Sequence, residues 1–153
     1  MDNLKKVKEF FDATKVGYEF KHYSNKVKNA HEASSEIGLS PDQMLKTLLV
    51  RNGNKFVLVL IPVSHKLNFP KLKQLLGCEF SMASSEEVYK ITGYEIGTVS
   101  PFCMKINIPI YLEKSALVQL KVGVGSGVKG TEIVLDPKKL QEILMANVVN
   151  FID

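Results

Sequence analysis

Leu4, Val7, Phe10, Phe11 and Thr14 fall on one face at helical spacing, so residues 3–15 are expected to form an amphipathic helix with Gly17 as its stop. Residues 18–23, YEFKHY, alternate aromatic and polar side chains as a short strand does. Asn29 and Glu32 have the spacing of a capping box and open a helix that ends near Gly38. Pro41-Asp42 marks a turn. Two apolar runs follow, TLLV at 47–50 and FVLVLI at 56–61, and Asn52-Gly53 between them predicts a hairpin. The second run is apolar throughout, which predicts a central strand covered on both faces and ended by Pro62. Pro70 opens a helix, KLKQLL, that Gly77 closes. CEFSMA at 78–83 is an expected strand, and Ser84-Ser85-Glu86-Glu87 is the capping box of a helix reaching about Ile91.

PIYLEK at 109–114, LVQLKVGVG at 117–125 and EIVL at 132–135 read as further strands. Asp136-Pro137 starts a last amphipathic helix carrying Leu140, Ile143 and Leu144, and VVNFI closes the chain as a short strand. Helices thus interleave with short strands, and one strand pair is a hairpin. The expected fold class is α/β, a single domain over residues 1–153, with one curved or barrel-like mixed sheet and helices outside it.

One residue breaks the apolar pattern. In QMLKTLLV, residues 43–50, an extended chain puts Met44, Lys46, Leu48 and Val50 on one face and Leu45, Thr47 and Leu49 on the other. Both faces look buried. A lysine there is costly unless it is paired, snorkels out or is used, and an apolar surround lowers its pKa.

Composition narrows the setting. The 153 residues are 45% hydrophobic, enough for one core. No apolar run approaches the ~20 residues that span a bilayer. The N-terminal MDNLKKVKEFF carries charges where a signal peptide needs an apolar stretch, so a soluble cytoplasmic protein is expected. Cys78 and Cys103 form no CxxC pattern, and His22, His31 and His65 are scattered. Free thiols, no metal site and no cofactor are therefore expected. The net charge is +4, and Arg51 is the only arginine among 20 basic residues. Lysine meets phosphate as a point charge, without the fork that arginine uses to read bases. The composition suits contact with a polyanion backbone more than sequence readout, although on composition alone a solvated lysine surface is the plainer reading.

Four features remain as candidate chemistry: Lys46-Thr47, GYEIGTVSPF at 93–102, GVGSGVKG at 123–130, and the aromatic cluster Tyr18, Phe20, His22 and Tyr23. The glycine loop lacks the GK[ST] of a phosphate-binding loop, and alone it is a turn between strands. Gly97 and Pro101 frame a loop that can aim backbone N–H groups at an oxyanion or carbonyl, and alone it too is an ordinary turn. No GxSxG and no Ser-His-acid order supports a hydrolase triad.

Taken in order, LKTLLV at 45–50, GYEIGTVSPF at 93–102, IPIYLEKSAL at 108–117 and VGVGSGVKGTEIVLDPKKL at 122–140 resemble the YbaK/prolyl-tRNA-synthetase-associated editing domain family. The resemblance covers most of the chain from about residue 18. It implies a mixed, mostly antiparallel sheet curled into a partial barrel with flanking helices. It also implies an aminoacyl-tRNA deacylase that hydrolyses the ester of a misacylated tRNA, Ala- or Cys-tRNA(Pro) first among them. The family's essential lysine falls on Lys46, beside Thr47, and its G-x-x-x-P loop on Gly97, Ser100 and Pro101. Its substrate-pocket turn falls on Gly125, Ser126 and Gly127.

The resemblance implies as partners the 3′ end of a misacylated tRNA and a synthetase such as prolyl-tRNA synthetase, with no membrane, no DNA and no cofactor. Lys129, Lys105 and Lys66 are candidate phosphate contacts, and Tyr18, Phe20 and His22 candidates for the pocket mouth, although aromatics in an alternating strand are more often core. Some branches carry serine or histidine in the glycine turn; here Gly125 aligns there with Ser126 beside it, and no histidine follows His65. Cys103 stands where a glycine is common. A non-catalytic tRNA- or synthetase-binding adaptor and a deacylase of some small ester are the alternative readings.

Overall fold

The structure is a computed structural model and describes residues 2–153. Five α-helices and eight strands alternate along it: α1 (Asn3–Thr14), β1 (Glu19–His22), α2 (Ala30–Glu36), β2 (Leu45–Asn52), β3 (Lys55–Pro62), α3 (Phe69–Leu76), β4 (Ser81–Met82), α4 (Ser85–Thr92), β5 (Ile110–Glu113), β6 (Val122–Gly125), β7 (Thr131–Leu135), α5 (Pro137–Leu144) and β8 (Asn147–Val149). The strands form two hydrogen-bonded sheets, ordered β1-β7-β6 and β4-β2-β3-β5-β8. The one expected sheet is thus two. They meet where Met44, just before β2, bridges Gly123 in parallel, with the Gly123 N–H donating to the Gln43 carbonyl at 2.9 Å. Four strand pairings are antiparallel, and β3-β5 and β5-β8 are parallel.

The β2-β3 hairpin turns at Gly53-Asn54, one residue beyond the expected Asn52-Gly53, with Asn52 opposite Lys55. Its register sets the core. Leu58 and Leu60 face the larger apolar cluster, with Val7, Phe11, Tyr94, Phe102, Val124, Ile133 and Leu140. Val57, Val59 and Ile61 face a second cluster around Leu72, Phe80 and Phe151. All five β3 residues are 0–1% exposed, so the continuous apolar run does lie between two packed layers. Each such side chain stabilises the fold by about 1.5–3 kcal/mol through burial.

Helix ends follow the chain's polar signals, with two departures. Ser84 and Glu87 form the full reciprocal capping box of α4. Asn29 caps α2 by accepting from the Glu32 N–H, but the Glu32 carboxylate turns to the Lys28 N–H instead of closing the box. Helix α1 stops two residues before Gly17, at Lys15, which takes the left-handed conformation itself (φ 60°). The expected strand at 117–125 begins only at Val122. Lys114–Val118 is a 3-10 turn capped by Glu113, and Val118 and Leu120 point to solvent. Alternation alone does not separate a strand from a turn that happens to expose every second residue. The expected strand at 78–83 shortens to Ser81–Met82.

Gly127 and Gly38 separate two kinds of constraint. Both have positive φ, 89° and 80°, but a Cβ on Gly127 would stand 2.4 Å from the Tyr94 ring, whereas Gly38 faces open space. Gly38→Ala is expected to cost about 1–2 kcal/mol from backbone strain alone. Gly127→Ala should cost a further ~1–3 kcal/mol from overpacking. Urea unfolding of the two variants checks this; equal losses would mean that the Tyr94 ring yields freely.

Candidate functional site

The cavity that matters is floored by β2. It has a volume of about 650 Å³, and consecutive residues Leu45 to Leu49 all contribute to it. This size lies within the ~300–1,000 Å³ of small-molecule sites. Lys46 is half-buried in this wall, and its ammonium is pulled below the usual lysine range, first by burial and then by the Lys66 ammonium. Among the described residues it joins no ion pair. Lys46 is therefore neither neutralised nor fully hydrated, and its charge is open to an incoming ligand. Next to it in sequence, Thr47 holds a buried Oγ1 with no hydrogen-bond partner among the described residues. Native proteins satisfy most such atoms, so an orphan in a cavity wall points to use.

A second wall comes from the loop after α4. Gly93 ends the helix with φ 83°, and Tyr94 then drops fully into the core, where its hydroxyl donates to the Phe102 carbonyl. The loop between is thus tied at both ends. Gly97 turns it with φ 88°, and the N–H and Oγ1 of Thr98 both donate to the Glu95 carbonyl, at 3.0 and 2.8 Å. Residues Ile96 to Val99 line the cavity. The Val99 carbonyl then lies directly against Gly125 of β6: a Cβ there would be 2.2 Å from that oxygen.

The third wall is the β6-β7 hairpin. Gly125 sits opposite Glu132 in register, so the two share a face. Val134, on the same face two residues on, packs with Ala33, Leu39 and Met44. Glu132 lines the cavity, and its Oε2 is buried without a partner among the described residues. Burial pushes its carboxyl up to about 8. Across β1, Lys21 faces Glu132 in register, yet its ammonium pairs with Glu19 at 3.4 Å. Tyr23 also lines the cavity, and burial, together with the nearby Glu132 charge, raises its phenol.

Of the residues singled out from sequence, the structure gathers Lys46, Thr47, Gly97, Gly125 and Lys129 around this one cavity. The others lie elsewhere. Ser100 is fully buried, and its Oγ accepts from the Phe102 N–H at 3.2 Å. Pro101 lines a separate cavity with Phe10 and Met145. Ser126 is consumed by the turn, donating to the Thr131 carbonyl at 2.7 Å, and Gly127 packs on Tyr94. Tyr18 stacks on Phe11 with ring centroids 4.7 Å apart and meets Phe20 edge-on, so both belong to the core edge. His22 pairs its Nδ1 with Thr131 Oγ1 at 3.0 Å. Lys66 stands close enough to act on Lys46, while Lys105 is exposed outside the cavity lining. Glu132 was missed as a site residue, and of the aromatic cluster only Tyr23 reaches the cavity. The available signal was a lone carboxylate sharing the inward face of EIVL with Val134.

The aminoacyl-tRNA editing domain model matches residues 24–143, and the chain belongs to that family. Lys46, the Gly97 loop and Glu132 all lie inside the matched span. Proline--tRNA ligase of Bacillus licheniformis is 35% identical over 101 residues, which is 65% of this chain and 18% of the ligase. The chain therefore spans less than a fifth of the ligase it matches. YwhH, an uncharacterized protein of Bacillus subtilis, is 28% identical over 147 residues, covering 95% of this chain and 94% of YwhH. A solved structure described as a candidate trans-editing enzyme for prolyl tRNA synthetase superposes with a TM-score of 0.92 over 100% of this chain and 98% of that one, at 23% identity, and shares its fold.

The raised Glu132 carboxyl has a consequence for stability. The ordinary value is 4.5 and the folded value about 8, so between them the folded state holds a proton that the unfolded state has lost. This group's contribution is most favourable below pH 4.5, falls as pH rises towards 8, and then levels. Glu132→Gln stays neutral throughout. Its melting temperature relative to wild type should therefore climb from pH 5 to pH 8.5, at about 2–4 °C per kcal/mol. A difference that does not vary with pH would mean the carboxyl is solvated.

Proposed function

We propose that this member of the editing-domain family is an aminoacyl-tRNA deacylase acting in trans, with residues 1–153 working as one unit in the cytoplasm. It would take the 3′ end of a misacylated tRNA, Ala- or Cys-tRNA(Pro) first among them, alone or alongside a synthetase such as prolyl-tRNA synthetase. The observation that carries this reading is the unpaired, half-buried Lys46 in the wall of a cavity that Thr47, with its unpartnered hydroxyl, also lines. A protein that only binds tRNA has no need for an uncompensated charge in an apolar wall, where it costs free energy.

The chemistry asks little of the protein. Water attacks the carbonyl carbon of the ester, the bond to the ribose oxygen breaks, and that oxygen leaves with a proton as the free hydroxyl. An ester needs orientation and charge stabilisation for this, and no dedicated nucleophile. Lys46 would meet the terminal phosphate or the ester carbonyl. Backbone N–H groups of the loop from Gly97 to Ser100, other than that of Thr98, which is bonded to Glu95, would hold the carbonyl or the ribose. Thr47 Oγ1, free of any protein partner, would position the attacking water. Lys129 at the cavity and Lys66 beside Lys46 suit backbone phosphates. Ala33, Leu45 and Val63 give the cavity an apolar lining for a small side chain. One methylene changes binding by only ~1–3 kcal/mol in such a pocket, which is the physical reason a synthetase needs a second hydrolytic site.

Deacylation of labelled tRNA(Pro) carrying Ala, Cys, Ser, Thr or Pro, and of the cognate Ala-, Cys-, Ser- and Thr-tRNAs, tests the proposal. Wild type is expected to hydrolyse a subset selectively, with Lys46→Ala slower by roughly 10²-fold or more. Hydrolysis by Lys46→Ala at the wild-type rate would remove Lys46 from the chemistry. Inactive wild type that still binds tRNA would favour the adaptor.

A further inference from the structure

We propose that Glu132 is the recognition group for the free α-ammonium of the aminoacyl ester, so that the cavity selects unblocked aminoacyl ends over N-acylated ones such as formyl-aminoacyl and peptidyl esters. This rests on the deacylase reading of the same cavity.

Charge in the cavity is lopsided. Lys28, Lys46 and Lys129 line it, and Glu132 is its one acidic group among the described residues. Three cations suit the phosphates and the carbonyl oxygen of an aminoacylated 3′ end. The remaining charged feature of that ligand is its α-ammonium, beside the ester and positive, and only Glu132 can answer it. The geometry is prepared for this. Gly125, opposite Glu132, has no side chain to cover it, and the Val99 carbonyl fills the space where a Cβ would be. Glu132 is thereby flanked by the loop that contains Gly97, on the side where the ester is proposed to lie. Its Oε2 is buried with no partner, and no ion pair with Lys21, Lys28, Lys46 or Lys129 forms among the described residues.

A buried carboxylate without a partner is costly, and a bound ammonium removes that cost. Burial pushes the carboxyl up to about 8, so in the empty cavity it is largely protonated at neutral pH. An ammonium brought alongside favours the carboxylate, and the proton goes to solvent. An N-acyl group removes the positive charge, adds bulk, and leaves the carboxyl as it was. The discrimination is therefore against blocked amines, whatever the side chain.

Binding of 3′-alanylamino-3′-deoxyadenosine and of its N-acetyl derivative, measured by calorimetry, tests this together with hydrolysis of Ala-tRNA(Pro) and N-acetyl-Ala-tRNA(Pro). Wild type should bind the free amine roughly tenfold to a hundredfold more tightly than the acetylated compound. Glu132→Gln, matched in shape, should lose that preference by weakening only the free amine, with KM rising more than kcat falls. Glu132→Asp, which keeps the charge at shorter reach, should retain part of it. Equal binding of both compounds by wild type, or an unchanged preference in Glu132→Gln, would overturn the assignment. A wild type that prefers the free amine yet hydrolyses neither tRNA would overturn the deacylase reading and leave Glu132 as the amine site. Hydrolysis of both tRNAs at one rate, with equal binding, would do the reverse.

Discussion

The cavity depends on one close approach of backbone to backbone. The Val99 carbonyl rests on Gly125 so tightly that a Cβ would fall 2.2 Å from its oxygen. That contact sets the loop after α4 against the β6-β7 hairpin. The bridge from Met44 to Gly123 sets the same hairpin against β2, and Gly123 is crowded in its turn, with Leu39 Cδ1 2.9 Å from where a Cβ would be. Two glycines on one short strand thus fix three walls relative to one another. Tyr94 secures the loop from behind: it is fully buried, bonded to the Phe102 carbonyl, and packed over Gly127. Interiors packed this closely do not deform smoothly, so small losses at these glycines should move the walls as units.

Within that frame the polar atoms are left deliberately incomplete. Among the described residues Lys46 has no carboxylate, Thr47 Oγ1 has no partner, and Glu132 Oε2 has none. Other buried polar groups find partners, as Glu113 does in accepting from the Phe151 N–H at 2.7 Å and the Ser115 N–H at 2.9 Å, and Ser126 closes its own turn, although Ser115 Oγ is also buried without a partner among the described residues. The unsatisfied groups that line the cavity are a cost to folding that a ligand with matching charges would remove. A half-buried cation and a buried acid in one apolar chamber have their pKa values pushed in opposite directions by the same desolvation.

Much of the fold was legible because its signals are local. The β2-β3 hairpin, the continuous apolar run of β3 and the caps at Ser84 and Asp136 depend on a few neighbouring residues. The misread elements depend on distant ones. Residues 117–120 alternate like a strand, but no partner strand lies beside them. Lys15 ends α1 in a conformation for which glycine was the natural expectation. For the site, Lys46 was visible as a charge inside an apolar run, and Gly97 and Gly125 as glycines in ordered motifs. Ser100, Pro101, Ser126 and Gly127 occupy the same motifs yet turn inward or away, because motif spacing does not say which face of a loop is wet. Glu132 was hidden for the opposite reason: an acid in a strand is ordinarily solvated, and only its place in the cavity wall leaves its Oε2 buried.

The most direct test of the central claim is the structure of the protein bound to 3′-alanylamino-3′-deoxyadenosine, whose amide replaces the ester. The account predicts the aminoacyl group in the cavity floored by β2, with Lys46 Nζ within hydrogen-bonding reach of the carbonyl or 5′ side and the loop at Gly97 against the carbonyl or ribose. A ligand seated in the other cavity, between Phe10 and Met145, or held on the surface with Lys46 untouched, would contradict it.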